Sequence, residues 1–320
     1  MISGFYRFKM CAAANRQAAF CQLCGRRMVG KGRSFRHKEW SEGVTLHICA
    51  DCEREKPRCQ QCGLPLAANS ASGLCETCRA SLQVCLACGR PVKKPGKSLE
   101  FDGFGPYCLD CYHNRPPCDI CGAPRTDESW QLSDGRITCR YCHASAVFTP
   151  DVAGALFEQM KEVVFNQLGF ELNIPTGLAL VDRNQLKEVI RLQTDGRQEP
   201  SDGHQDLDPE QTLGIYARRG MRRGIYIQTG LPRMLFLQVA AHEYAHAWQG
   251  ENCPILRDKI AHEGFAEWVA YHIIGYYGYR NGQERMLARQ DRYGQGLKWA
   301  LGLEKSRGAH TVVEACRSLV

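Results

Sequence analysis

Pro232-Arg233-Met234-Leu235-Phe236-Leu237-Gln238-Val239-Ala240-Ala241-His242-Glu243-Tyr244-Ala245-His246 reads as a buried helix that carries a metal site. Leu235, Leu237, Val239, Ala240 and Ala241 run apolar into three costly polar groups, as an active-site helix does. Pro232 stands where a first helical turn tolerates it. Positions i and i+4 share one helix face, so His242 and His246 can grip a single Zn²⁺. Glu243 then points toward the metal-bound water as its general base.

A catalytic zinc takes three protein ligands and keeps a fourth position open. A second helical pattern, from Asp258 to Ile274, offers Glu263 and, one turn on, Glu267. Either could be the third ligand, and the other would orient a histidine N–H. Glu263-Gly264-Phe265-Ala266 resembles a segment of the gluzincin metallopeptidases whose glutamate binds zinc, which favours Glu263. Tyr293-Gly294-Gln295-Gly296, ahead of the apolar run from Leu297 to Leu303, resembles the Tyr-x-x-Gly segment of zinc aminopeptidases. There the tyrosine hydroxyl donates to the oxyanion of the transition state. Tyr271, two turns past Glu263, is the second candidate for that role, and His272 reads as structural.

Sixteen of the 19 cysteines in the first half and beyond fall into Cys-x-x-Cys pairs. Two cysteines three apart supply two corners of a tetrahedron, and a second pair closes it. Consecutive pairing gives four structural zinc sites: Cys21/Cys24/Cys49/Cys52, Cys59/Cys62/Cys75/Cys78, Cys85/Cys88/Cys108/Cys111 and Cys118/Cys121/Cys139/Cys142. The stretches 21–78 and 85–142 have equal length, as a duplicated double-zinc module would. Cys11, Cys253 and Cys316 are left over, with Cys253 expected as a small core residue.

Residues 1–20 lack a sustained apolar run, so no export signal is expected and the thiols should hold metal in a reducing cytoplasm. No segment is long and apolar enough to span a membrane. Four tetrathiolate sites at −2 each take the formal charge from +7 to −1, and a fifth Zn²⁺ brings it to +1. That removes the general electrostatic argument for nucleic-acid binding. The cluster Arg218-Arg219-Gly220-Met221-Arg222-Arg223 reads as a solvated turn.

From Ala144 the composition changes. Leu156, Phe157, Met160, Val163, Val164 and Leu168 trace a helical stripe, Gly177–Val181 a strand, and Asp182 caps a helix to Leu192. A polar loop from Thr194 to Gln211 precedes a hairpin, Leu213–Ala217 and Gly224–Gln228. Leu213, Gly214, Ile215, Tyr216 and Ala217 form the candidate edge strand for binding substrate backbone, with Ile215 N–H among its donors. The expected fold is α+β: an N-terminal extension (1–20), two tandem LIM-like double zinc-ribbon modules (21–78 and 85–142), then a compact gluzincin-like peptidase domain (144–320).

From Pro117-Cys118-Asp119-Ile120-Cys121 onward, the chain resembles the plant LIM-domain zinc peptidases that restrict organ size and are activated by ubiquitin. The likeness runs through Leu132-Ser133-Asp134-Gly135-Arg136, Gly230-Leu231-Pro232-Arg233, Ala241-His242-Glu243, His246-Ala247-Trp248 and Glu263-Gly264. It implies a zinc peptidase that cleaves other proteins, with His242, His246 and Glu263 on the metal and Glu243 as base. The LIM-like modules would then dock a protein substrate or regulator. The chain departs from that family in two ways. Six residues, not two, join its zinc pairs, and residues 1–20 are too short for ubiquitin-interacting helices. The other readings are a silent LIM-like scaffold and nucleic-acid binding through the zinc ribbons.

Overall fold

The computed structural model describes residues 20–28, 32–37, 44–66, 73–81, 83–92, 99–101, 104–194, 211–253 and 256–318. Residues 1–19 of the expected extension, Cys11 among them, and 195–210 of the expected polar loop lie outside the described residues. Backbone contacts divide the chain into residues 1–85 with 89–98, and residues 86–88 with 99–320.

The zinc-rich part repeats one local pattern. In β1 (Arg33–Phe35), β2 (Leu46–Ile48) and α1 (Ala50–Glu55), an antiparallel hairpin leads into a short helix that starts directly after Cys49. After α2 (Glu76–Ser81) the pattern returns as β3 (Leu99–Phe101), β4 (Phe104–Tyr107) and α3 (Leu109–Asn114). It returns again as β5 (Ser129–Gln131), β6 (Ile137–Cys139) and α4 (Arg140–Ala144). The first pair of each set is a tight knuckle closed by the glycine behind it: Gly25 N donates to Cys21 O, and Gly63 N to Cys59 O, each at 2.8 Å. Gly25, Gly63, Gly89 and Gly122 all have φ near +70°, a conformation that glycine adopts without penalty. The second pair of each set opens a short helix, so its two sulfurs lie on one turn.

The larger body follows. After β7 (Ala146–Val147), α5 (Pro150–Leu168) buries the whole predicted stripe, with Thr149 as its N-cap and Gly169 in the left-handed region as its stop. β8 (Gly177–Val181) leads into α6 (Arg183–Thr194), and Gln185 N donates to Asp182 Oδ1 at 2.8 Å, the cap expected of that aspartate. The hairpin is longer than expected: β9 (Gly214–Arg219) and β10 (Arg222–Gln228) stay paired through Arg219 and Arg222 around Gly220-Met221. Arg218 and Arg223 both reach Glu251, so these arginines tie the hairpin to the metal helix.

β10 is the middle strand, parallel to β8 and antiparallel to β9, which leaves β9 at the edge. Side chains alternate across this sheet. Ile215 packs with Leu186 and Ile190 of α6, while Tyr216, Ile225 and Ile227 join the main core. β11 (Leu231–Pro232) pairs with β7 and delivers the chain into α7 (Arg233–Asn252), whose N-cap is Pro232. Beside it Arg136 and Asp134 form a fully buried ion pair at 2.8 Å. Arg136 also donates to Thr229 O at 2.7 Å, so the fourth zinc knuckle is clamped to the start of the metal helix.

α8 (Lys259–Tyr276), capped by Asp258, returns past α7; α9 (Arg280–Ala288), α10 (Arg292–Arg307) and α11 (Ala309–Ser318) complete the body. α8 and α10 cross backbone to backbone. A Cβ on Gly264 would lie 2.5 Å from Gly296 O, and one on Gly296 would lie 2.6 Å from Gly264 Cα. Alanine in a helix interior ordinarily gains about 0.5–1 kcal/mol over glycine. Here the contact decides the sign, because backbone atoms cannot swing aside. Gly264→Ala or Gly296→Ala should cost about 1–3 kcal/mol net and lower the melting temperature. Gly302→Ala, on the same α10 with no described atom within 4 Å of its Cβ, should not. Thermal unfolding followed by circular dichroism separates the three.

Candidate metal centre

α7 is amphipathic in an unusual sense: its apolar residues face the core, and the face toward α8 carries His242 and His246 one turn apart. The two Nε2 atoms lie 2.9 Å from each other. From α8, Glu263 Oε2 stands 3.5 Å from His242 Nε2 and 3.6 Å from His246 Nε2. All three donor atoms fall within 4.8 Å of one another.

Glu267 does something different. Its Oε1 lies 3.2 Å from His242 Nδ1, the far side of that ring. The two carboxylates that the sequence left open are thus separated by geometry: Glu263 faces both Nε2 atoms, Glu267 only the back of one imidazole.

The residues fit a metal ion. Glu263 Oε2 is buried and accepts no hydrogen bond from the described residues. It converges with two ring nitrogens that present lone pairs once their Nδ1 atoms are engaged. Burial alone would pull the His242 ring down, yet Glu263, Glu267 and the Glu243 charge hold it well above the ordinary imidazole range. Burial would raise the Glu263 carboxyl, but His242 and His246 hold it well below the ordinary carboxylate range. The cluster is built to hold positive charge, and two imidazoles with a carboxylate are a donor set that suits zinc.

These groups line a cleft of about 430 Å³. Leu213, Gly214 and Ile215 line one side, and Arg289, Asp291, Arg292 and Tyr293 another. The Gly264–Gly296 crossing sets the first turn of α10, with Tyr293, beside α8. The Tyr293 ring lies 6.0 Å from the His242 ring, with the Arg289 guanidinium 4.5 Å from its centroid. Tyr271 sits at the margin of the hydrophobic core, outside the cleft lining. His272 Nε2 bonds Glu304 Oε2 at 2.9 Å, in keeping with a structural histidine.

β9 corrects one expectation. Gln228 N donates to Leu213 O, so the register turns residues 213, 215 and 217 toward β10 and Gly214 and Tyr216 outward. Ile215 N–H therefore serves the ladder and is not an edge donor. Tyr216 N donates to Glu243 Oε2 at 2.7 Å, and Ala217 is buried away from the cleft. Gly214 is glycine for a local reason: a Cβ there would strike Val239 and approach Glu243 Cγ to 3.4 Å.

The cysteine sets assemble as well. The sulfurs of Cys21/Cys24/Cys49/Cys52, of Cys85/Cys88/Cys108/Cys111 and of Cys118/Cys121/Cys139/Cys142 each gather within 4.8 Å. In the second set the group within that distance is His37, Cys62, Cys75 and Cys78. Cys59 shares their buried cluster; burial opposes its thiolate, but the backbone N–H groups of Cys62, Cys75 and Gln61 bring its pKa down to about 7. The structure thus places His37 in the group of four where the sequence reading put Cys59, with Cys59 in the same buried cluster. Burial opposes the Cys21 thiolate, but backbone N–H groups of Cys49, Cys24 and Leu23 bring its pKa down to about 6. A thiolate prepared in this way is ready for metal. All 18 described cysteines are free thiols. Cys253 is a buried core residue, as expected.

Two residues escaped the sequence reading. His37, buried with its Nε2 3.2 Å from Cys78 Sγ, follows no ligand spacing that could have shown it. Gln249, bonded to His246 Nδ1 at 2.8 Å, stands three residues after that histidine, a spacing that could have flagged it.

These features define a zinc-binding protein of mixed helix and strand with several cysteine-rich clusters. It is similar to plant LIM-domain proteins of the DA1 group, at modest identity over about half the chain. Rice (Oryza sativa subsp. japonica) LIM domain-containing protein HDR3 is 27% identical over 215 residues, 59% of this chain and 41% of that protein. Protein DA1 of Arabidopsis thaliana is 28% identical over 167 residues, 44% of this chain and 31% of that protein. Protein DA1-related 1 of the same plant is 26% identical over 254 residues, 58% of this chain and 45% of that protein. The chain spans less than half the length of each of these relatives. Residues 112–146 match the family described as the zinc-finger of RNA-polymerase I-specific TFIIB, Rrn7. No solved structure matches the chain. No described helix is long and apolar enough to cross a membrane.

Proposed function

We propose that this protein is a zinc metallopeptidase of gluzincin type that cleaves protein substrates. The observation that carries this reading is the convergence of His242 Nε2, His246 Nε2 and Glu263 Oε2 in a cleft that also holds Glu243. His242, His246 and Glu263 would hold the ion. Zinc bound there supplies Lewis acidity toward a carbonyl and lowers the pKa of water. Glu243 takes the proton of the attacking water and later gives it to the leaving amine. One of its oxygens is fixed by Tyr216 N–H, so the other is the one that carries the proton. Tyr293 donates its hydroxyl to the developing oxyanion. Gly214, on the outward edge of β9, pairs with the backbone of an extended substrate.

The same reading makes residues 144–320 the peptidase domain and residues 21–78 and 85–142 the modules that dock a protein substrate or regulator. We place the protein in the cytoplasm, where thiols that hold structural zinc stay reduced. Five zincs per chain are expected, four structural and one catalytic. Structural sites are closed, so chelation should strip the open site first. Elemental analysis of freshly purified protein checks the number, and two or fewer would overturn this account. Proteome-wide N-terminal profiling beside Glu243→Gln tests the activity: zinc-dependent new termini must appear with the wild type alone. Their absence would leave a LIM-like scaffold.

A further inference from the structure

Gln249 is buried, and nothing in the proposed chemistry uses it. Its amide nitrogen donates to His262 O at 2.9 Å and to Cys316 Sγ of α11 at 3.4 Å. A carbonyl only accepts, so this end of the side chain must be the nitrogen, and the oxygen must face His246 Nδ1, 2.8 Å away. His246 then carries its proton on Nδ1 and offers Nε2 as a lone pair toward His242 and Glu263. The His246 ring also stacks on the His262 ring, 4.5 Å apart and 16° from parallel.

We infer that Gln249 is a positioning residue of the metal centre, one that fixes the His246 tautomer and ties it to the backbone beside Glu263. This rests on the metallopeptidase reading. One amide spans two helices: it grips a ligand of α7 and the carbonyl immediately before the carboxylate ligand of α8. Cys316 adds the C-terminal helix as a third support. The two histidines are thereby oriented unequally, His242 by the charged carboxylate of Glu267 and His246 by a neutral amide. A neutral acceptor adds no negative charge to the site, so it orients the ring without weakening the Lewis acidity of the bound ion. Partners of this kind typically govern metal affinity by about 10–100-fold.

The test uses the full chain. Gln249→Met keeps the volume and removes the amide. Titration against a chromogenic chelator reads the weakest zinc, and ¹⁵N-histidine NMR reads the protected His246 Nδ1–H. We expect about 10–100-fold weaker binding of that one zinc and loss of the N–H signal, with four zincs retained. Wild-type affinity in Gln249→Met overturns the inference. If Gln249→Met fails to fold, Gln249→Glu decides, since it keeps an acceptor for His246. A retained His246 Nδ1–H signal in that variant supports the inference, and its loss overturns it. A wild-type protein that holds only four zincs refutes the metallopeptidase reading itself, a result distinct from either.

Discussion

Glu243→Gln should bind its full complement of zinc, melt with the wild type and lose about 10²–10⁴-fold in kcat. The amide has nearly the shape of the carboxylate, and its oxygen can still accept from Tyr216 N–H, which now donates to Glu243 Oε2 at 2.7 Å. Fold and site geometry are therefore kept, and what goes is the capacity to take a proton. KM should move little, because Glu243 holds no part of the substrate in the ground state. Metal analysis and steady-state kinetics on a peptide taken from the N-terminal profiling provide the check. A variant that retains more than about a tenth of wild-type kcat would mean that another group is the base.

Tyr293→Phe should lower kcat about 10²–10³-fold with KM nearly unchanged. A phenol hydroxyl offers little to a neutral carbonyl and much to an oxyanion, so its loss is felt in the transition state. The substitution is a clean one here. The guanidinium groups of Arg289 and Arg292 lie 4.5 and 5.1 Å from the ring centroid and stack on phenylalanine as well. Among the described residues, only the hydrogen bond from Arg292 Nη2 to the hydroxyl, a long one at 3.4 Å, disappears with it. Tyr271→Phe is the control, since Tyr271 lies outside the cleft lining. If it shows the deficit while Tyr293→Phe is fully active, the assignment fails.

Local signals were legible without coordinates. The apolar stripe of α5 and the cap Asp182 follow from contacts within one or two turns of chain. The Cys-x-x-Cys pairs belong to the same class, because a knuckle places two sulfurs together by its own backbone. So do His242 and His246, which share a face by helical periodicity alone.

What the sequence determined by itself is therefore the elements α5, β8, α6, β9, β10, α7 and α8 and the chemistry that the last two carry. The tertiary structure decided which atoms meet. Glu263 and Glu267 are one turn apart on the same helix, and only the approach of α8 to α7 turns one toward both Nε2 atoms and the other toward Nδ1. Only the β9–β10 register turns Tyr216 N–H outward onto Glu243 and Ile215 N–H inward. Gly264 and Gly296 look like poor helix residues until the two backbones are seen to touch. His37 had no local pattern to single it out, since Cys78 lies on another segment, and the Gln249–His246 spacing shows a shared helix face but not the bonds to His262 and Cys316. Periodicity fixes a face of an element, whereas helix crossing and strand register, set by packing over long separations, fix the contacts of that face.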